Sequence, residues 1–262
     1  MILFNEFIAG RENFSKLKNK FEKLCKKYGC DFEILSKDAK GNDIFAIRTP
    51  DTGGSKVVII AGLHGDEPGG PQGILDFFER KNLGVLKKNL LLIPVMNPDG
   101  YINFDREDED DKDLNRQWNK DKVKPAIRTV KQVVIDYKPD FMLSLHEDPN
   151  ADGFYLYPSK NADKDSVDYI QKFLHSNLQP VSKKTVYGDR VKKGIITKTS
   201  NTPKHYASME KYFEKRGIPN VTLELPTDLP IEQRKKIYGD LLVNFVNWMR
   251  PMSNKLVNHE AR

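Results

Sequence analysis

The chain has 262 residues, 38% hydrophobic and 31% charged, with a net charge of +6. That length suits one large α/β domain or two small ones, and no linker, repeat or composition break divides it, so a single domain over 1–262 is expected. No apolar run reaches the roughly 18 residues of a membrane span. The N-terminus lacks the basic and apolar regions of a signal peptide. Lysine is dispersed, with no helix-turn-helix pattern and no basic-aromatic stripe. The expectation is a cytoplasmic protein that binds neither membrane nor nucleic acid; the sequence leaves its oligomeric state open. Cys25 and Cys30 are too few for a four-cysteine zinc site and read as ordinary thiols.

In chain order, Phe14, Leu17, Phe21 and Leu24 recur at spacings of three and four, which predicts an amphipathic helix over 11–28. "DFEIL" and "DIFAIRT" read as two strands around the turn "KGND". "KVVIIAG" is apolar throughout, as a central strand should be. "GGPQGILDFFER" opens a helix and "NLLLIPVMN" is another buried strand. A charged loop precedes a helix near 123–137, the strand "DFMLSLH" and the strand-like "GFYLYP". Helices are expected near 164–178 and 204–216, then the buried strand "NVTLEL", then a closing amphipathic helix with Pro230 at its start. The alternation predicts an α/β fold: a mixed, largely parallel central sheet with helices on both faces.

In such sheets ligands bind beyond the carboxyl ends of the strands. Those ends carry unusual residues. His64 and Glu67 follow "VVIIAGL", Asn97-Pro98-Asp99-Gly100 follows "LLIPVM", and His146, Glu147 and Asp148 follow "DFMLSL". Glu224 lies inside "NVTLELP", where a carboxylate needs a partner or a task. Two imidazoles and a carboxylate are a catalytic zinc ligand set, with a fourth position left open. A turn at Gly65 and Pro68 can fold Glu67 back beside His64, and His146 is the natural third ligand. His175, His205 and His259 lie in predicted helices or the tail.

These pieces resemble the zinc carboxypeptidases of the pancreatic type, in the family's order, over roughly residues 40–250. "GLHGDEPGG" resembles the H-x-x-E element, which implies His64 and Glu67 as ligands; "LSLHED" implies His146 as the third. "NPDGY" is similar to the turn after the next core strand, and "DLNRQW" to the Asn-Arg pair that holds a substrate's terminal carboxylate, here Asn115 and Arg116. Arg106, nine residues earlier, resembles the arginine that polarises the scissile carbonyl in the bacterial branch, near which the murein peptide amidases fall. "GIPNVTLELP" resembles the element of the catalytic glutamate, here Glu224. The mobile tyrosine of many members has no clear counterpart; Tyr206 is the nearest candidate.

The resemblance implies one Zn2+ per chain and cleavage of an amide next to a free carboxylate, in a peptide or peptide-like substrate. Two alternatives stand. One is an N-acyl-amino-acid deacylase of the aspartoacylase or succinylglutamate desuccinylase type, although those relatives carry a further C-terminal β domain and fewer than 40 residues follow Glu224 here. The other is a catalytically silent carboxylate-binding protein. Two further expectations concern acids. Glu147 or Asp148 could orient a ligand histidine, the alternative being solvated loop acids. "DREDEDDKD", with seven acids among nine residues, reads as a solvated loop at the rim that could attract cationic substrates.

Overall fold

The computed structural model describes residues 10–80, 89–200 and 203–249, so the N-terminal residues and His259 lie outside the described residues. Helix α1 (Phe14–Tyr28) starts where Asn13 accepts the N–H groups of Ser15 and Lys16, and stops at Gly29 in the left-handed conformation. Strands β1 (Asp31–Lys37) and β2 (Asp43–Arg48) form a hairpin. Next come β3 (Lys56–Ala61), α2 (Gly69–Glu79), β4 (Asn89–Ile93) and α3 (Pro98–Asn103). After a loop and a 3-10 turn over Leu114–Arg116 follow α4 (Pro125–Tyr137), β5 (Phe141–Asp148), β6 (Tyr155–Pro158) and α5 (Lys164–His175).

The rest is β7 (Thr185–Val186), β8 (Asp189–Lys192), β9 (Ile195–Lys198), α6 (Pro203–Tyr206), α7 (Met209–Glu214), β10 (Asn220–Pro226) and α8 (Ile231–Trp248). The helix expected over 204–216 is thus two helices. Ser208 between them is extended, and its hydroxyl accepts the Lys211 N–H as the cap of α7. Strands β7–β9 carry too few alternating residues to stand out in the sequence.

Ten strands form one sheet in the order β1-β2-β4-β3-β5-β10-β6-β9-β8-β7. The four central strands β4, β3, β5 and β10 run parallel; the outer pairings are antiparallel apart from one parallel contact between β6 and β9. The parallel expectation therefore holds for the centre and gives way at the margins. Alternate residues of β3 explain why it is apolar throughout. Val57, Ile59 and Ala61 enter a core covered by α1, α2, α5 and α8, while Val58 and Ile60 enter a second core beneath α4 and α7. Each valine and isoleucine among them contributes about 1.5–3 kcal/mol of burial. Cys25 and Cys30 are buried free thiols, raised to about 12 and about 11 by burial. No helix among the described residues is long and apolar enough to cross a membrane.

Candidate metal centre and active site

The carboxyl ends of β3, β5 and β10 converge on one spot. After β3 the chain turns through His64–Glu67 and enters α2. Gly65 lets this turn lie directly on α3: a Cβ there would fall 1.8 Å from the Gly100 carbonyl carbon. Asn97 caps α3 by accepting the Gly100 N–H, and its amide donates to the Glu107 carbonyl at 2.9 Å. The "NPDG" turn thereby fixes the start of the loop that carries Arg106.

His64, Glu67 and His146 are all buried, and each offers a ligand atom within 4.8 Å of the other two. His64 Nδ1 lies 2.6 Å from Glu67 Oε1, and His146 Nδ1 lies 2.8 Å from Glu67 Oε2. The far nitrogens are engaged as well. His64 Nε2 is 3.2 Å from Asp113 Oδ1, and His146 Nε2 is 3.3 Å from Glu210 Oε1. A carboxylate on Nε2 favours the proton there and leaves the Nδ1 lone pair for a cation. Burial opposes charge on His146, but Glu67 and Glu210 raise its pKa well above the ordinary value. Burial likewise opposes charge on Glu67, yet the two histidines hold its carboxyl far below the ordinary value. Two imidazole nitrogens and a carboxylate oxygen gathered within 4.8 Å of one another, with both imidazoles pre-oriented, fit a divalent cation.

Asp113 and Glu210 are the residues that sequence reasoning missed. Asp113 also receives Arg106 Nη2 at 3.1 Å on its second oxygen. Glu210 accepts from Ser144 Oγ at 2.7 Å and from Asn115 Nδ2 at 3.3 Å. The available signal was weak: Asp113 sat in an acidic run, and Glu210 on a helix predicted only by periodicity. The expectation that Glu147 or Asp148 orients a ligand histidine is replaced by these two. Neither is a solvated loop acid, because β5 runs on to Asp148 and both are buried. Glu147 points to the opposite face of the sheet and pairs with Arg234 at 2.6 Å. Asp148 accepts the hydroxyls of Tyr155 and Tyr187, at 2.8 and 2.7 Å.

Glu224 stands opposite His146 in the parallel ladder and opposite Tyr155 in the antiparallel one. It is the one partly open position of an otherwise buried β10; its backbone sits in both ladders, while its carboxylate has no hydrogen-bond partner among the described residues. Burial pushes its carboxyl well up; His146 opposes the rise, and Glu67 and Asp148 add to it. Arg106 reaches the same spot, with Nη1 3.5 Å from Glu67 Oε1. Arg116 is half-exposed beside it and donates to the Asn115 carbonyl at 2.9 Å. Asn115 is buried; its amide oxygen accepts the Met209 N–H at 2.8 Å. Tyr206 is exposed and lies under Lys215, with its carbonyl bound by Asn119. In the acidic run, Asp108, Glu109 and Asp110 surround Lys124 Nζ at 2.7, 2.9 and 2.9 Å. Much of that charge is neutralised within the chain.

With this geometry in place, comparison decides the family. The succinylglutamate desuccinylase/aspartoacylase catalytic domain matches residues 53–235. The chain belongs to that family. The family shares the zinc carboxypeptidase-like superfamily, so the resemblance read from the motifs holds at that level, and the match falls on the branch that the sequence reading placed second. No curated protein sequence matches the chain.

Solved structures share the fold at low identity. A candidate metallopeptidase from Shewanella amazonensis is 21% identical, with a TM-score of 0.79 over 90% of this chain and 93% of that one. A metallo-carboxypeptidase from Burkholderia cenocepacia is 16% identical, with a TM-score of 0.68 over 87% and 68%. Murein-tripeptide amidase MpaA from Escherichia coli O157 is 17% identical, with a TM-score of 0.63 over 83% and 92%.

Proposed function

We propose that this family member is a zinc-dependent hydrolase that cleaves an amide next to a free carboxylate and releases an amine-bearing product. The observation that carries this reading is the placement of Glu224, whose carboxylate has no hydrogen-bond partner among the described residues, directly across the ladder from His146 in a cluster of two histidines and a carboxylate that could hold a metal. His64, Glu67 and His146 hold the metal. When bound, zinc supplies Lewis acidity and lowers the pKa of a coordinated water towards about 7.

Everything else is done by the chain's own groups. Glu224 takes the proton of the attacking water and later delivers it to the leaving nitrogen. Arg106 donates to the carbonyl oxygen as charge develops there, steadied by Asp113. Arg116 grips the substrate carboxylate. Asn115 gives one amide hydrogen to Glu210 and keeps its second for the same carboxylate.

Peptides and N-acyl amino acids present the same groups to this site: an amide whose nitrogen belongs to an amino acid with a free carboxylate. The fold likeness to carboxypeptidases and a murein amidase supports peptides. The family match supports the second reading, deacylation of an N-acyl amino acid. Incubating zinc-loaded protein with peptides, murein tripeptide, N-acetyl-aspartate and N-succinyl-glutamate tests both. Release of free amino acid from the peptide-like substrates alone selects the first, and release from the acyl amino acids alone selects the second. Zinc-loaded protein that binds these compounds and turns over none is a carboxylate-binding protein.

A further inference from the structure

On the sheet face opposite the three ligands, helix α8 touches the two strand residues that matter most. Arg234 and Tyr238, one helical turn apart, face β5. Arg234 Nη1 donates to Glu147 Oε2 at 2.6 Å and its Nε donates to the Leu229 carbonyl at 2.9 Å. Tyr238 donates its hydroxyl to the backbone carbonyl of His146. Glu147 Oε2 also accepts the Gly69 N–H at 3.3 Å. Gly69 opens α2, two residues after Glu67. A Cβ at Gly69 would lie 2.0 Å from Glu147 Oε1, so only glycine admits this contact. Glu147 and Arg234 are almost wholly buried, at 2% and 1% exposure.

A buried ion pair is weak support for stability, since apolar residues of similar volume often serve as well. Its connections suggest another reason to keep it. Besides the direct contact of Glu67 with His146, a second connection between the two ligand-bearing segments runs from Glu67 along the chain to Gly69, whose N–H meets Glu147, the neighbour of His146. We propose that Arg234, Glu147 and Tyr238 are positioning residues that set the spacing of the metal ligands from behind the sheet. This role rests on the metal-site reading above. Arg234 fixes the Glu147 carboxylate, the carboxylate fixes the start of α2 and hence Glu67, and Tyr238 fixes the backbone of His146.

The test is the zinc dissociation constant of the full chain, measured by competition with a chromophoric chelator, beside the thermal midpoint of the apo-protein. The double variant Glu147→Met with Arg234→Met removes the pair without leaving a buried charge. It is expected to weaken zinc binding by about 10–100-fold, the usual effect of losing a group behind a ligand, with the apo midpoint little changed. Glu147→Gln with Arg234→Met restores an acceptor for Gly69 N–H and recovers most of that loss. Tyr238→Phe, which keeps the ring and therefore the packing, is expected to weaken binding several-fold and decides the matter if the double variants do not fold. Variants that bind zinc within twofold of a zinc-binding wild type overturn the positioning role alone. A wild-type chain that takes up no zinc overturns the metal-site reading, and this role with it.

Discussion

Glu224 and His146 face each other as direct partners in the β5–β10 ladder, and Tyr155 flanks Glu224 on its other side. A parallel pair in the centre of a sheet fixes both backbones, so the separation of Glu224 and His146 is set by strand register rather than by a loop. Replacing Glu224 with Gln keeps the size of the side chain and removes its capacity to carry a proton. The turnover rate is expected to fall by about 10²–10⁴-fold while zinc content, read by mass spectrometry, stays at the wild-type level.

Asp113 and Glu210 each hold the Nε2 side of one ligand histidine. Asp113→Asn or Glu210→Gln frees the imidazole to adopt the wrong tautomer. Each is expected to weaken zinc binding by about 10–100-fold. An additional effect separates the two. Asp113 also steadies Arg106, so its loss lowers turnover even at saturating zinc, as a kinetic titration with added metal will show.

Arg106 reaches the His64–Glu67–His146 cluster through Glu67 and is held by Asp113. Arg106→Met is expected to lower kcat/KM by about 10²–10³-fold. Arg116→Met acts differently under the proposed function, which gives Arg116 the grip on the substrate carboxylate. Its KM rises for substrates with that carboxylate and changes little for their amides, a comparison that steady-state kinetics makes directly.

Lys124 draws together three acids of the 105–113 loop. Burial pushes Glu109 up, but hydrogen bonds from Lys124 and from the Ala39 N–H prevail and hold its carboxyl below the ordinary value. Lys124 lowers Asp110 in the same direction. Carboxyls lowered in the folded state contribute stability that is complete above about pH 5 and disappears as pH falls through the carboxylate range. Lys124→Met, which leaves the buried Asp108 carboxylate without its cation, is expected to cost about 1–3 kcal/mol at pH 7. The difference from wild type shrinks as pH falls towards 3, which urea unfolding at several pH values will follow.

Gly65 supplies a test of the site's support. A Cβ there collides with the backbone of Gly100, so Gly65→Ala must displace either the ligand turn or α3. A loss of about 1–3 kcal/mol in stability is expected from such overpacking, together with weaker zinc uptake.

Strands β3 and β4 are legible in the sequence because a strand buried on both faces is apolar along most of its length. The sequence also singled out His64, Glu67, His146 and Glu224, which the fold brings together, because a polar group at the end of such a strand stands out against what precedes it. Other features were decided only by tertiary structure. The three weakly patterned strands β7–β9 pair at the margin of the sheet, where burial does not impose a clear alternation. Asp113 and Glu210 meet histidines 49 and 64 residues away in the chain. Glu147 turns from its neighbour His146 to the other sheet face and finds Arg234 87 residues on. Hydrophobic periodicity records which face of an element is buried. Which carboxylate meets which nitrogen depends on how separate elements pack, and nothing in local spacing encodes that.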